Sequence, residues 1–101
     1  MTISVSKATD DEYIISLDET FDFNSVEDFR KAYESKDDGT RKDFVIDFRR
    51  TRYMDSSALG MLINMKKYWQ DRDSNIRIIN SSPQVKKIFA ISRFDKKFTI
   101  E

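Results

Sequence analysis

The chain contains no cysteine and no histidine. The first absence excludes disulfides, thiolate nucleophiles and Cys-ligated metals. The second removes the side chain that most often acts as general base near neutral pH, the commonest metal ligand and any phosphohistidine relay. Glycine and proline are scarce, two and one respectively, too few for a linker-rich or disordered chain. Net charge is also missing. Eighteen basic residues offset 18 acidic ones, whereas a dedicated nucleic-acid binder needs a basic surplus to displace counterions. No apolar run approaches the roughly 18 residues that span a bilayer. The start, Met1-Thr-Ile-Ser-Val, lacks the basic and apolar stretches of a signal peptide. These absences predict a free-standing cytoplasmic protein that contacts neither nucleic acid nor membrane and uses no cofactor or metal.

What is present is apolar material for one modest core. The 101 residues are 39% hydrophobic and 13% aromatic, with eight Phe, four Tyr and one Trp, which suits a single domain over residues 1–101. Residues 2–6 and 12–17 read as strands, with Ala8-Thr-Asp-Asp-Glu12 as the polar turn of a hairpin. Phe21-Asp-Phe23 reads as a loop carrying two large apolar side chains. Asn24 is placed as a helix N-cap, with Glu27 completing a capping box. Val26, Phe29, Ala32 and Tyr33 follow at helical spacing. That helix ends near Ser35, before a turn around Gly39.

Phe44-Val-Ile-Asp-Phe48 reads as a central strand and Arg49 to Met54 as a connection. Ser57 to Gln70 has helical periodicity, with Ala58, Leu62, Met65 and Trp69 on one stripe and Leu59 and Ile63 beside it. Ile76 to Ile79 is a short strand. Ser82-Pro83 opens a short helix through Val85, Ile88, Phe89 and Ile91, and Phe98 to Ile100 closes the chain as a last strand. The order is ββαβαβα with a final strand. It predicts an α/β fold, a small mixed sheet flanked by helices.

The informative stretch is Tyr53-Met-Asp-Ser-Ser-Ala-Leu-Gly-Met-Leu62, which follows a buried-type strand and opens a helix. Asp55 suits the N-cap, where its carboxylate accepts from first-turn amides and complements the helix dipole. Ser56 then falls at about the first helical position with its hydroxyl outward. A phosphate there meets free backbone N–H groups and adds about 1.5 to 2 negative charges. From these residues alone Ser56 is either a plain helix-start residue or a modification site. Asp55 has no partner acid or histidine that would make it catalytic.

The segment Met54-Asp-Ser-Ser-Ala-Leu-Gly60, with apolar Met61 and Leu62 after it, resembles the signature of STAS domains of the anti-sigma-factor antagonist type. Val45-Ile-Asp-Phe48 resembles the central strand of that family, and Leu17-Asp-Glu-Thr-Phe21 the approach to its first helix. Asn80 onward resembles its later helix, and Phe94-Asp-Lys-Lys-Phe98 its closing strand. The chain departs from the family in lacking glycine in the second strand and the first-helix approach, and in lacking the extra C-terminal helix of many members.

The resemblance implies a bacterial partner-switching protein that is not itself an enzyme. It implies that an ATP-using serine kinase, which doubles as an anti-sigma factor or related regulator, phosphorylates Ser56. Phosphorylation weakens binding of that kinase, and a separate serine phosphatase reverses it. The unphosphorylated form then relieves inhibition of a sigma factor or of a stress or biofilm programme.

Beside this reading, Ser57 is expected to help the cap, and Gly60 either packs the helix closely on the sheet or leaves room for a partner's backbone. Met61, Asn64 and Tyr68, off the main stripe, are read as an exposed partner-binding face. Met54 and Ala58 of the motif join them as partner-contact candidates. So do Phe21 and Phe23, although the better reading of that pair is as core plugs near Ser56. Arg49-Arg-Thr-Arg52 is a solvated loop or a lure for an acidic partner. Trp69 and Phe89 belong to the core. The protein is expected to be a monomer or weak dimer. The alternatives are a scaffold domain of a larger signalling complex and a small-ligand or nucleotide module, although no glycine-rich phosphate loop supports the latter.

Overall fold

A computed structural model describes residues 3–101. The first strand, β1, runs Ser4–Thr9 and pairs antiparallel with β2, Glu12–Ser16. The expected hairpin is there, shifted towards its turn. The Thr2 end of the expected first strand lies outside the described residues. Three further strands continue the sheet in parallel. They are β4 (Asp43–Asp47), β6 (Ile76–Ile79) and β7 (Thr99–Ile100), giving the order β1-β2-β4-β6-β7. A separate two-stranded parallel ladder joins β3 (Thr20–Phe21) to β5 (Tyr53–Met54). Helices α1 (Val26–Glu34), α2 (Ser56–Trp69) and α3 (Pro83–Ile91) fill the crossovers. The mixed α/β architecture expected from the alternation is what the chain adopts.

Each crossover steps the same way across the sheet. Right-handed βαβ connections therefore place all three helices on one face. The side chains agree. Phe44, Ile46 and Phe48 point the same way along β4. The Phe44 ring lies 5.1 Å from Trp69 of α2, and the Phe48 ring 5.5 Å from Phe89 of α3. Ile15, Ile78, Leu62 and Met65 complete a fully buried interior. On the opposite face Ile14, Val45 and Arg77 stand in register. The Arg77 guanidinium reaches Glu12 at 3.6 Å and Glu101 at 3.0 Å. Glu12 lies on β2 and Arg77 on β6, so this ion-pair clasp crosses β4 and covers Val45, which is buried.

Three sequence expectations need correction. The capping box belongs to Asp22 and Ser25, not to Asn24 and Glu27. The Asp22 carboxylate accepts from the Asn24 N–H at 3.0 Å, and the Ser25 hydroxyl accepts from the Asp22 N–H at 3.3 Å. They frame a 3₁₀ turn at Phe23–Ser25, from which α1 continues without a side-chain cap of its own. The cap-to-acceptor spacing of three is the same in both pairs, so spacing alone could not choose between them. Val26 is then carried to the surface.

Second, Phe21 and the pair Tyr53-Met54 are strand residues rather than loop. Third, Phe94-Asp-Lys-Lys-Phe98 is not the closing strand. Phe94–Lys96 is a 3₁₀ turn entered through Arg93 at φ 59, and β7 follows it. Phe94 and Phe98 are both buried and stacked at 5.4 Å, and a spacing of four brings two rings together on a helical turn, not on a strand. The short helix through Val85, Ile88, Phe89 and Ile91 is α3, and its last residue, Ile91, is exposed. It falls two residues past buried Phe89, on the opposite side of the helix.

Candidate functional site

The connection from β4 to α2 is pinned before it reaches Ser56. The Asp47 carboxylate accepts from the Arg49 N–H at 2.9 Å and from Asn80 Nδ2 at 3.1 Å. Thr51 is buried and its hydroxyl donates to the Asp18 carbonyl at 2.8 Å. The N–H groups of Arg52 and Tyr53 both donate to the Glu19 carbonyl, and Arg50 ion-pairs with Asp18 at 3.1 Å. This stitching sets Phe21 opposite Met54 and Thr20 opposite Tyr53 in the β3–β5 ladder. Strand alternation turns Phe21 and Met54 inward and leaves Tyr53 outward, as their burial shows.

Asp55 leaves β5 in an extended conformation (φ −105, ψ −178) and caps α2. Its carboxylate accepts from the Ser57 hydroxyl at 2.5 Å and from the Ala58 N–H at 3.2 Å. The Asp55 carboxyl is held below its ordinary value chiefly by the Ser57 hydroxyl. Partial burial opposes that shift, and the N–H groups of Ala58, Phe23 and Ser57 add to it. The group is an anion at neutral pH, tied both to the start of α2 and to the turn before α1.

The two serines are therefore unlike. Ser57 is half-buried and its hydroxyl is committed to Asp55. Ser56 is exposed at the first helical position, and among the described residues its hydroxyl takes part in no hydrogen bond. Ser56 stands at the positive end of the α2 dipole, an environment in which an added phosphate is tolerated.

The structure sorts the remaining candidates. Phe23 is 70% exposed, so it is a surface residue and not a core plug; Phe21 is the plug, fully buried with its ring 5.0 Å from Phe29 and 6.0 Å from Phe48. Met54, Ala58 and Met61 are buried, which removes them from any contact face. Met61 follows buried Ala58 by three and precedes Met65 by four, which widens the core stripe to include it. Asn64 is exposed, two turns beyond Ser56. Tyr68 lies about 18 Å further along the helix than Ser56 at 1.5 Å per residue, and its hydroxyl donates to Asp37 at 2.7 Å. It fastens the loop after α1 instead of serving a surface near the serine.

Gly60 is exposed, and a Cβ built on it meets nothing within 4 Å, so close packing on the sheet is not its role. Sequence reasoning missed Tyr53, 55% exposed, and Val26, 37% exposed. With Phe23 they make three of the five exposed large hydrophobics among the described residues. All three sit on the segments that flank Asp55. No sequence signal marks Tyr53, because a two-residue strand is too short to show a period.

Among the described residues the surface carries depressions at both ends of the sheet. One of about 280 Å³ is lined by Ser16, Leu17, Asp47, Arg49 and Arg50. The other, about 410 Å³, opens at the far end of α2 between Lys66, Gln70, Asp73 and Lys96. Among the described residues no cluster of His, Cys, Asp or Glu is arranged to hold a metal ion, and no helix is long and apolar enough to cross a membrane.

Comparison with known proteins agrees with this fold. A STAS-domain containing protein of Pseudomonas aeruginosa strain UCBPP-PA14 is 39% identical over 97 residues, spanning 96% of this chain and 95% of the relative. The fold is shared with the Bacillus cell fate determinant SpoIIAA in its phosphorylated form, at 21% identity and a TM-score of 0.78 over 99% of this chain and 91% of that one. The unphosphorylated form of SpoIIAA, an anti-sigma factor antagonist, matches equally well, with a TM-score of 0.78 at 20% identity over 99% and 87% of the two chains. An anti-sigma-factor antagonist (STAS) domain protein from Planctomyces limnophilus matches with a TM-score of 0.83 at 17% identity, over 99% of this chain and 89% of that one. The family described as "Mlab, STAS domain" covers residues 4–100, so the segment from β1 to β7 is accounted for throughout, and the chain belongs to the STAS domain family.

Proposed function

We propose that this protein is a phosphorylation-controlled binding partner. Its unphosphorylated form binds a protein serine kinase that acts as an anti-sigma-type regulator and relieves the inhibition that regulator exerts. A phosphate on Ser56 ends the interaction, and a serine phosphatase restores it. The protein is the substrate of this chemistry and supplies none of it.

One observation carries the reading. The exposed hydroxyl of Ser56 stands at the start of α2 beside a second serine whose hydroxyl is already taken by the cap. Exposed Phe23, Val26 and Tyr53 on the flanking segments offer the apolar, partly aromatic area that protein interfaces favour. A phosphate on Ser56 places about 1.5 to 2 negative charges on that area, next to ionised Asp55. The fold keeps its cap and its core, while a partner docked over the serine meets a desolvated charge. The likeness to SpoIIAA, a protein seen both with and without its phosphate, supports the same assignment.

The test compares Ser56→Ala with Ser56→Asp as baits in extract of the source cells, and follows phosphate incorporation into the unsubstituted protein by mass spectrometry with ATP added. Ser56→Ala should retain a kinase that Ser56→Asp releases, and the phosphate should map to Ser56. Equal retention by both baits, or a phosphate confined to Ser57, would sink the proposal.

A further inference from the structure

Gly60 stands inside α2, where glycine is the least favourable residue after proline. The fold supplies no reason for it. Its backbone is not among the positive-φ positions, and an added Cβ meets open space. Its position relative to Ser56 does supply one. In an α-helix the Cα–Cβ bond leans towards the N-terminus, and a side chain covers the turn before its own Cα. From position 60 that turn is the one carrying Ser56, four residues earlier. Leu59, the other residue at neighbour spacing, is half-buried and packs against the core instead.

We propose that Gly60 is an access-determining residue, which keeps Ser56 uncovered so that a bulky partner can reach its hydroxyl; this rests on the phosphoacceptor role given to Ser56 above. The partner is a kinase that brings a nucleoside triphosphate in line with Oγ. In the transfer an Oγ–P bond forms as the bond from that phosphorus to the nucleoside diphosphate breaks. The hydroxyl proton leaves to a base on the kinase. Any side chain at position 60 long enough to lean back one turn would occupy the space through which that donor approaches.

Because the chain has no cysteine, Ser56→Cys gives a protein with a single thiol at the position in question. Its labelling is followed with a small reagent, iodoacetamide, and with a maleimide carrying a polyethylene-glycol chain. Both reagents are applied with Gly60 intact and with Gly60→Leu or Gly60→Gln added. Gly60→Leu and Gly60→Gln should slow the bulky reagent about tenfold or more while changing the small one by less than about threefold. Gly60→Ala on its own should raise the melting temperature by about 4–8 °C. Bulky-to-small labelling ratios that do not depend on the residue at this position would overturn the proposal. So would a fall in melting temperature for Gly60→Ala, which would show that the fold itself requires glycine.

A parallel assay keeps Ser56 and compares the unsubstituted protein with Gly60→Leu in source-cell extract with ATP, measuring phosphate at Ser56. Slower incorporation into Gly60→Leu supports the proposal, and equal rates overturn it. No incorporation into the unsubstituted protein overturns the phosphoserine reading itself, a failure separate from anything the thiol labelling reports.

Discussion

The two ends of α2 are held in opposite ways. At its C-terminal end Trp69 is fully buried against Phe44, the Arg72 guanidinium lies 4.7 Å over the indole, and Arg72 and Tyr68 both bond Asp37. Lys66 adds a bond from Nζ to the Lys97 carbonyl at 2.6 Å. At the N-terminal end one carboxylate, that of Asp55, holds the cap, and exposed Phe23, Val26 and Tyr53 face outward around it. A helix anchored by ring packing at one end can leave the surface at the other end uncommitted without fraying the fold, and the switch proposed for Ser56 would use such a surface.

The sharpest way to break this contrast is Trp69→Ala. Removing a fully buried Trp costs about 3–5 kcal/mol, a large share of the roughly 5–15 kcal/mol that a domain possesses. Urea unfolding should show the midpoint fall steeply, and a small change would mean that the anchored end is not anchored. Phe23→Ala is the mirror experiment. With its side chain exposed, stability should stay within about 0.5 kcal/mol, while affinity for the partner retained by Ser56→Ala falls about tenfold or more, as for an interface hot spot. Unchanged affinity would remove the aromatic turn from the proposed interface.

Acid sharpens the comparison further. Asp38, in the loop that follows α1, is held down to about 2 by the hydroxyl and amide of Thr40 and by Lys42. Its folded-state value lies below the ordinary 3.8, so folding favours the ionised form. That contribution is whole above about pH 4 and is lost as the pH falls towards about 2. Asp55 follows the same sign, its value lowered by the Ser57 hydroxyl first. Asp38→Asn and Asp55→Asn should each flatten the acid limb of a stability-versus-pH curve, and only Asp55→Asn should also disturb partner binding. The smallest effect is expected from Tyr68→Phe, which loses one exposed hydrogen bond to Asp37. Its melting temperature should fall slightly and its partner binding should not change; weakened binding would restore Tyr68 to the contact face from which its distance from Ser56 removes it.

Long periodic segments were legible in the sequence. The stripe Ala58, Leu62, Met65, Trp69 is buried as its spacing indicates, and Asp55 caps the helix that its position suggested. Short elements were not. Two-residue strands such as β3 and β5 carry no period to read, so their alternation, and with it the outward Tyr53, was invisible. The Asp22 capping box was not legible because its N3 residue is Ser25, whereas Asn24 with Glu27 fits the Glu-or-Gln pattern that marks such a box in a sequence. Met61 was misplaced because an apolar stripe of three to four residues in every two turns is wider than the narrow seam read along the helix.

The β3–β5 ladder has a consequence for when the signal can exist. Phe23 and Val26 come from one part of the chain and Tyr53 and Ser56 from another, and the pairing of Thr20 with Tyr53 and Phe21 with Met54 brings the two parts together. An unfolded copy carries every one of these residues and yet presents no composite surface. Under the proposed function, a partner that reads this surface would bind the folded chain and ignore an unfolded one.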